Sequence, residues 1–132
     1  MKESDIQRLV MLALSEAGCT VWRNNVAKAW VGDKLIWQAN GNLTIVNPRV
    51  LHAGLCKGSA DLIGIAPVVI TEQMVGSTVG LFLAPEIKAD KGSATPEQGC
   101  FMDHVRLKGG IAGICRSPQD ALALLAQTKP NE

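Results

Sequence analysis

Two apolar runs decide how this chain folds: Ala60–Ile70 (ADLIGIAPVVI) and Val79–Ala89 (VGLFLAPEIKA). Both are rich in Val, Ile and Leu and short enough to be strands. Gly76, Ser77 and Thr78 lie between them as turn residues, so the pattern predicts an antiparallel pair. Side chains alternate along a strand, which places Glu86 and Lys88 on one face. A hairpin centred near residue 73.5, within the connection 71–78, opposes residues whose numbers add to 147, and Asp61 and Glu86 satisfy this. Cross-strand neighbours lie about 5 Å apart at Cβ, so the register predicts two facing carboxylates.

Working outward, Ser4 and Gln7 read as a capping box. Ile6, Leu9, Val10, Ala13 and Ala17 then recur at helical spacing as one apolar face, ended by Gly18. Val21 to Arg23 reads as the start of a strand. Trp30 to Ala39 and Leu43 to Val46 read as a hairpin around Asn40, Gly41 and Asn42. Asn47, Pro48 and Arg49 break that pattern, and the chain from there to Gly58 reads as loop. Thr95, Pro96 and Gln98 mark a helix start, with Thr as N-cap, Pro at the first position and Gln at the third. Phe101 and Val105 share a face of that helix, and Gly109–Gly110 stops it. Ile111 to Cys115 reads as a short buried strand, and Ser117–Pro118 caps a last helix carrying Ala121, Leu122 and Leu125. The order predicts an α/β or α+β domain with one mixed sheet flanked by helices.

Composition agrees with a globular chain. It has 132 residues, of which 47% are hydrophobic and 19% charged, with a net charge of +1. That length suits one domain, and the near-neutral balance excludes a polybasic non-specific binder but not a local basic groove. Cys19, Cys56, Cys100 and Cys115 form no C-x-x-C pair and match no zinc spacing; they read as thiols in a reducing compartment. The N-terminal run mixes charge into its apolar residues, so no signal peptide or membrane span is expected, and a cytoplasmic protein is. The tail from Thr128 to Glu132 reads as loose.

The chemistry lies in Asp61, Glu86 and Lys88. Charged groups inside apolar strands are unfavourable unless paired or metal-bound. Two carboxylates with a main-chain carbonyl form an oxygen-only set suited to Mg²⁺ or Mn²⁺. Such an ion acidifies a bound water and offsets charge on a phosphodiester, and a neighbouring lysine adds a compact positive charge. Spacing alone leaves a second reading open: a plain ion pair between Lys88 and Glu86, with Asp61 on the surface.

The ordered set Gly58-Ser59-Ala60-Asp61-Leu62-Ile63-Gly64, Glu86-Ile87-Lys88, Gln98, Gly109-Gly110 and Ser117-Pro118 resembles the VRR-NUC family of the PD-(D/E)xK nuclease superfamily. The first helix, with Glu3, Ile6 and Gln7, and the stretch Trp22-Arg23-Asn24-Asn25 fit as well. The resemblance covers almost the whole chain and matches the short stand-alone members found in phages and prophages. It implies a restriction-endonuclease-like core over residues 1–127. It implies Asp61, Glu86 and the Ile87 carbonyl as metal ligands, Lys88 as the catalytic lysine, Gln98 as the helix-borne glutamine of the site, and Glu3 as an acidic residue of the first helix. The implied activity is Mg²⁺- or Mn²⁺-dependent cleavage of DNA, by a homodimer acting on branched DNA in a bacterial host cell. Two features depart from the pattern. Pro85, directly before Glu86, predicts a bulged or locally unpaired strand. The net charge is modest for a DNA enzyme.

Other residues carry weaker assignments. A capping box accounts for Gln98 without catalysis, and both roles can hold together. The helix dipole accounts for Glu3, read as lying just before the N-cap. Arg23, Lys28, Lys57, Gly58 and Ser59 are the candidate DNA contacts. His52 and His104 read as structural or surface residues, and Trp22, Trp30 and Trp37 as core or interface, with the 30–46 hairpin a candidate dimer contact. The competing reading is a non-catalytic DNA-binding or assembly module on the same fold; a third is a nuclease acting on RNA.

Overall fold

A computed structural model describes residues 2–126. The expected tail at Thr128 to Glu132 lies outside the described residues. The order is α1 (Glu3–Glu16), β1 (Thr20–Arg23), β2 (Ala27–Val31), β3 (Lys34–Trp37), β4 (Leu43–Val46), β5 (Arg49–Ala53), β6 (Leu62–Ile65), a 3-10 turn (Glu72–Met74), β7 (Leu83–Ile87), α2 (Pro96–Leu107), β8 (Ile111–Cys115) and α3 (Pro118–Leu125). The fold is mixed α/β. The expected single mixed sheet is not found among the described residues; the strands pair two by two, as β1–β6, β2–β5, β3–β4 and β7–β8. No described helix is long and apolar enough to cross a membrane. The chain divides into two units, one of residues up to Val21 and from Gly64 onward, the other Trp22–Ile63.

The first unit is built around β7, α2 and β8. β7 and β8 run parallel with Leu83 opposite Ile111 and Ile87 opposite Cys115. A parallel pair needs a crossover, and α2 supplies it. Thr95 and Gln98 close the expected capping box, with Pro96 at the start. Ser117 accepts from the Asp120 N–H at the start of α3. The core lies here: Met102 and Val105 of α2, Ile111, Ala112 and Cys115 of β8, and Leu124 of α3 are buried. Gly109, at φ +88°, takes the left-handed conformation that ends α2.

The expected β6–β7 hairpin is not formed. β6 pairs with β1, and β7 pairs with β8. The register that opposed Asp61 to Glu86 therefore falls. Pro67 ends β6 early, since proline cannot donate to a ladder. Nor is β7 bulged at Pro85, which stands opposite Gly113 in an unbroken register. Ile111 N–H donates to the Phe82 carbonyl and Lys88 N–H to the Cys115 carbonyl. Backbone groups alternate sides along a strand, so Ala84, Glu86 and Lys88 face β8 and Pro85 faces away. Proline removes a donor only from the edge where a further strand would pair, which disfavours a wider sheet.

The helix α1 forms, but not as its cap predicted. Lys2 is the N-cap and makes no side-chain cap bond; Ser4 lies inside the helix, and Glu3 is its first residue rather than preceding the N-cap. Glu3 and Asp5 in the first turn suit the helix dipole without a hydroxyl cap. Its apolar face is open: Ile6 is 48% exposed and Leu9 50%.

The second unit is a long hairpin. In both β2–β5 and β3–β4 the paired residue numbers add to 80, from Ala27 with Ala53 to Trp37 with Leu43. The two ladders are thus one ribbon interrupted at Gly32–Asp33 and Asn47–Pro48. The expected hairpin is present, broken at Gly32, and extends through Arg49–Ala53, which had read as loop. The interruption is bridged by side chains. Asn47 Nδ2 donates to Asp33 Oδ2 at 2.9 Å, and Arg49 donates to Asp33 Oδ1 at 2.8 Å. The turn closes with Gly41 at φ +85° and with the Asn42 N–H donating to Asn40 Oδ1 at 3.0 Å.

Candidate active site

Glu86, Lys88 and Gln98 come together. Glu86 lies in β7 and Lys88 directly after its end, with Lys88 Nζ 3.1 Å from Glu86 Oε1. Gln98 reaches them from the first turn of α2. Its Nε2 donates to Glu86 Oε1 at 2.7 Å, and its Oε1 accepts from Lys88 Nζ at 2.9 Å. The same Oε1 accepts the Thr95 N–H at 2.9 Å, and Gln98 N–H donates to Thr95 Oγ1 at 3.2 Å. The capping box therefore orients the amide. With its oxygen fixed on the Thr95 N–H, its nitrogen is turned to Glu86. Capping and site membership are one arrangement. The lysine and glutamate side chains are 18% and 29% exposed, open enough to reach solvent yet well shielded.

An ammonium carries three donors. Two of those on Lys88 are used within the cluster, which leaves one N–H for a water or a phosphate oxygen. Glu86 has a second oxygen, Oε2, without a hydrogen-bond partner among the described residues. By the alternation of β7, the Ile87 carbonyl faces the edge away from β8. A carboxylate oxygen and a carbonyl on successive residues are hard donors of the kind Mg²⁺ and Mn²⁺ take, so this part of the expected ligand set fits such an ion.

The connection leaving Lys88 is fastened by a residue that sequence reasoning missed. Arg116, just after β8, donates to the Ala89 carbonyl and, at 2.7 Å, to the Gly92 carbonyl. Its own N–H donates to Asp120 Oδ2 at 2.8 Å. Nothing in its spacing marks this role, since its acceptors are main-chain atoms.

Asp61 belongs to the other unit, where it is exposed. Its carbonyl accepts the Asn24 N–H at 2.8 Å. Asn24, which the sequence placed in the stretch fitting the resemblance but without a role, is the buried polar side chain of the described residues, 6% exposed. Its Nδ2 donates to Ser59 Oγ at 2.7 Å and to the Ala60 carbonyl at 2.8 Å, and its Oδ1 accepts the Leu55 N–H at 2.9 Å. Ser59 Oγ in turn donates to the Cys56 carbonyl at 2.7 Å. Asn24 thus shapes the loop carrying Lys57, Gly58, Ser59 and Asp61. Its position in the stretch Trp22-Arg23-Asn24-Asn25, directly after a strand-like run, was the available signal.

Among the expected DNA contacts, Arg23, Lys28, Lys57 and Gly58 are exposed in that unit, whereas Ser59 is held in the loop by hydrogen bonds. Glu3 is exposed on α1. His104 meets Thr20 Oγ1 through Nε2 at 2.7 Å, a structural contact as expected. The four cysteines are free. Compared with family models, with curated proteins and with solved structures, the chain has no match.

Proposed function

We propose that the chain is a metal-dependent nuclease that hydrolyses phosphodiester bonds in DNA. The Glu86–Lys88–Gln98 cluster carries this reading. A carboxylate, an ammonium and a carboxamide are hydrogen-bonded into one half-shielded group beside a free carboxylate oxygen. Glu86 and the Ile87 carbonyl would hold Mg²⁺ or Mn²⁺, and the VRR-NUC resemblance assigns Glu3 as an acidic neighbour. The ion, when bound, supplies an acidified water and charge neutralisation on the scissile phosphate. Gln98 holds Lys88 in place, so that its remaining N–H is directed rather than free to rotate. The ammonium then stabilises negative charge developing on the phosphate oxygens or orients the attacking water. The same resemblance extends the proposal to a homodimer acting on branched DNA.

The test is cleavage of supercoiled plasmid and of a four-way junction in Mn²⁺, Mg²⁺ or EDTA, with Lys88→Ala alongside. Metal-dependent cleavage abolished in Lys88→Ala is the expected result, and preference for the junction supports the branched substrate. Intact DNA binding without cleavage in either metal overturns the nuclease reading in favour of a binding module. Cleavage by Lys88→Ala at the wild-type rate removes the site.

A further inference from the structure

The charge of the chain is unevenly placed. Trp22–Ile63 holds Arg23, Lys28, Lys34, Arg49 and Lys57 against Asp33 and Asp61, a net charge of +3 in a chain whose total is +1. The other unit is therefore net acidic. Within the basic unit Asp33 is spent on Arg49. Arg23, Lys28, Lys34 and Lys57 have no carboxylate partner among the described residues.

The hairpin sorts these charges by face. Asp33, Asn47 and Arg49 bond to one another at the interruption, where Asn47 takes φ +49° and the Asp33 N–H donates to the Val46 carbonyl, so each ladder alternates by itself. In β2–β5 the odd-numbered face carries Ala27, Ala29 and Val31, with Arg49, Leu51 and Ala53 opposite them. The even-numbered face of β2–β5 carries Lys28 and Trp30, with His52 and Val50 opposite them, and has no acidic residue. Lys28 Nζ lies 5.7 Å from the Trp30 ring centroid, a cation–π distance that holds the charge along the ring without neutralising it. Every residue of β2 and β3 is exposed.

We infer that the even-numbered face of the β2–β5 ladder is a docking surface for duplex DNA. The inference rests on the proposed nuclease reading and names how its substrate is held. The major groove of B-form DNA is about 12 Å wide and admits a two-stranded β-ribbon. From Ala27 to Trp37 the arm extends roughly 35 Å at a strand's rise per residue, about one helical turn of duplex. Lys28 meets a phosphate on that path, and Trp30 beside it and His52 opposite it face the groove. The polyanion matches the sign of the face, whereas a second copy of the chain would bring like charges together there. A-form RNA has a major groove too narrow for side chains to read, so the surface selects DNA.

The experiment is fluorescence anisotropy of a labelled 20-bp duplex with the full chain in EDTA, over a salt series. Lys28→Glu is expected to weaken binding at least tenfold and to reduce the salt-dependence slope by about one. Arg8→Glu, the same change of charge in the other unit, is expected to bind as wild type. DNA is expected to quench tryptophan emission in wild type and Trp37→Phe, and not in Trp30→Phe. The inference is overturned if the wild type binds no duplex or binds A-form RNA equally well. It is overturned if Lys28→Glu binds as Arg8→Glu does, or if Lys28→Glu changes self-association on sedimentation instead of DNA affinity. The two readings fail separately. Loss of cleavage with the Lys28 effect intact removes the nuclease and keeps the surface, and cleavage unaffected by Lys28→Glu at sub-saturating DNA removes the surface and keeps the nuclease.

Discussion

Replacing Gln98 by glutamate keeps the length and shape of the side chain and reverses one bond. The introduced carboxylate retains an oxygen to accept the Thr95 N–H, so the capping box survives. The amide nitrogen that donates to Glu86 Oε1 at 2.7 Å is replaced by an anionic oxygen. A hydrogen bond to a charged group, worth about 1.5–3 kcal/mol, becomes a contact between two carboxylates. Unit charges about 4 Å apart repel by about 1 kcal/mol in water and about 4 kcal/mol near a protein surface. Glu86 is 29% exposed, and Lys88 attracts both carboxylates, so the upper ends of these ranges do not apply. A net loss of about 2 kcal/mol follows, or about 7 °C in melting temperature for a domain of this size. Thr95→Ala removes only the cap bond and is expected to cost about 1 kcal/mol. Thermal melts of Gln98→Glu, Thr95→Ala and wild type in low and 1 M salt separate the two causes. The repulsion is screened at 1 M, where the Debye length is about 3 Å, and the missing cap is not. Under the proposed function the new carboxylate also draws Lys88 toward itself, and cleavage should fall at least tenfold. A Gln98→Glu protein that melts with the wild type, or that loses no more than Thr95→Ala and shows no recovery in salt, refutes the cluster as described.

Three further outcomes follow from the packing and electrostatics. Val105 is fully buried, so Val105→Ala should cost about 2–3 kcal/mol in chemical denaturation; a loss under about 0.5 kcal/mol would place it outside the core. A Cβ on Gly64 would strike the Thr20 carbonyl, so Gly64→Ala should destabilise by at least about 2 kcal/mol, and a neutral effect would mean that β1 and β6 do not approach closely there. The Asn47 amide first, and Arg49 second, hold the Asp33 carboxyl below its ordinary value of 3.8. A carboxyl lowered in the folded state contributes stability above its unfolded value, and that contribution is lost as pH falls through the folded one. In an NMR titration its midpoint should lie below 3.8 and rise more in Asn47→Ala than in Arg49→Ala; a wild-type midpoint at or above the ordinary value contradicts the contacts.

The features legible in the sequence are those fixed by neighbours along the chain. Thr95, Pro96 and Gln98 specify a helix start by chemistry confined to one turn, and the structure closes that box. Asn40-Gly41-Asn42 specifies a turn, and the register of the ribbon follows from it. The strand Arg49–Ala53 was missed because Asn47 and Pro48 are turn residues, which locally end a strand. Asp33, fourteen residues before Asn47, carries the pairing past them. The spacing of Ile6, Leu9 and Val10 identifies an apolar face but not what covers it, and in this chain the face is open.

The same distinction explains which part of the site could be read. Glu86 and Lys88 are two apart on a strand, and Gln98 lies twelve residues beyond Glu86 at the third position of a capped helix. All three are placed by local rules, and the cluster they form needs only β7 to be followed by α2. Asp61 was joined to Glu86 by a partner choice between distant strands. Hydrophobic alternation is silent on that choice, because every apolar strand is compatible with every other. Here β7 takes β8, delivered beside it by the α2 crossover, and Pro85 leaves the other edge one donor short. Arg116 and Asn24 lie beyond the reach of either rule. Both act on main-chain carbonyls and amides, which every residue carries, so the sequence offers no complementary side chain to point to them. A site held through the backbone leaves its supports unmarked in the sequence, even where its polar groups are marked plainly.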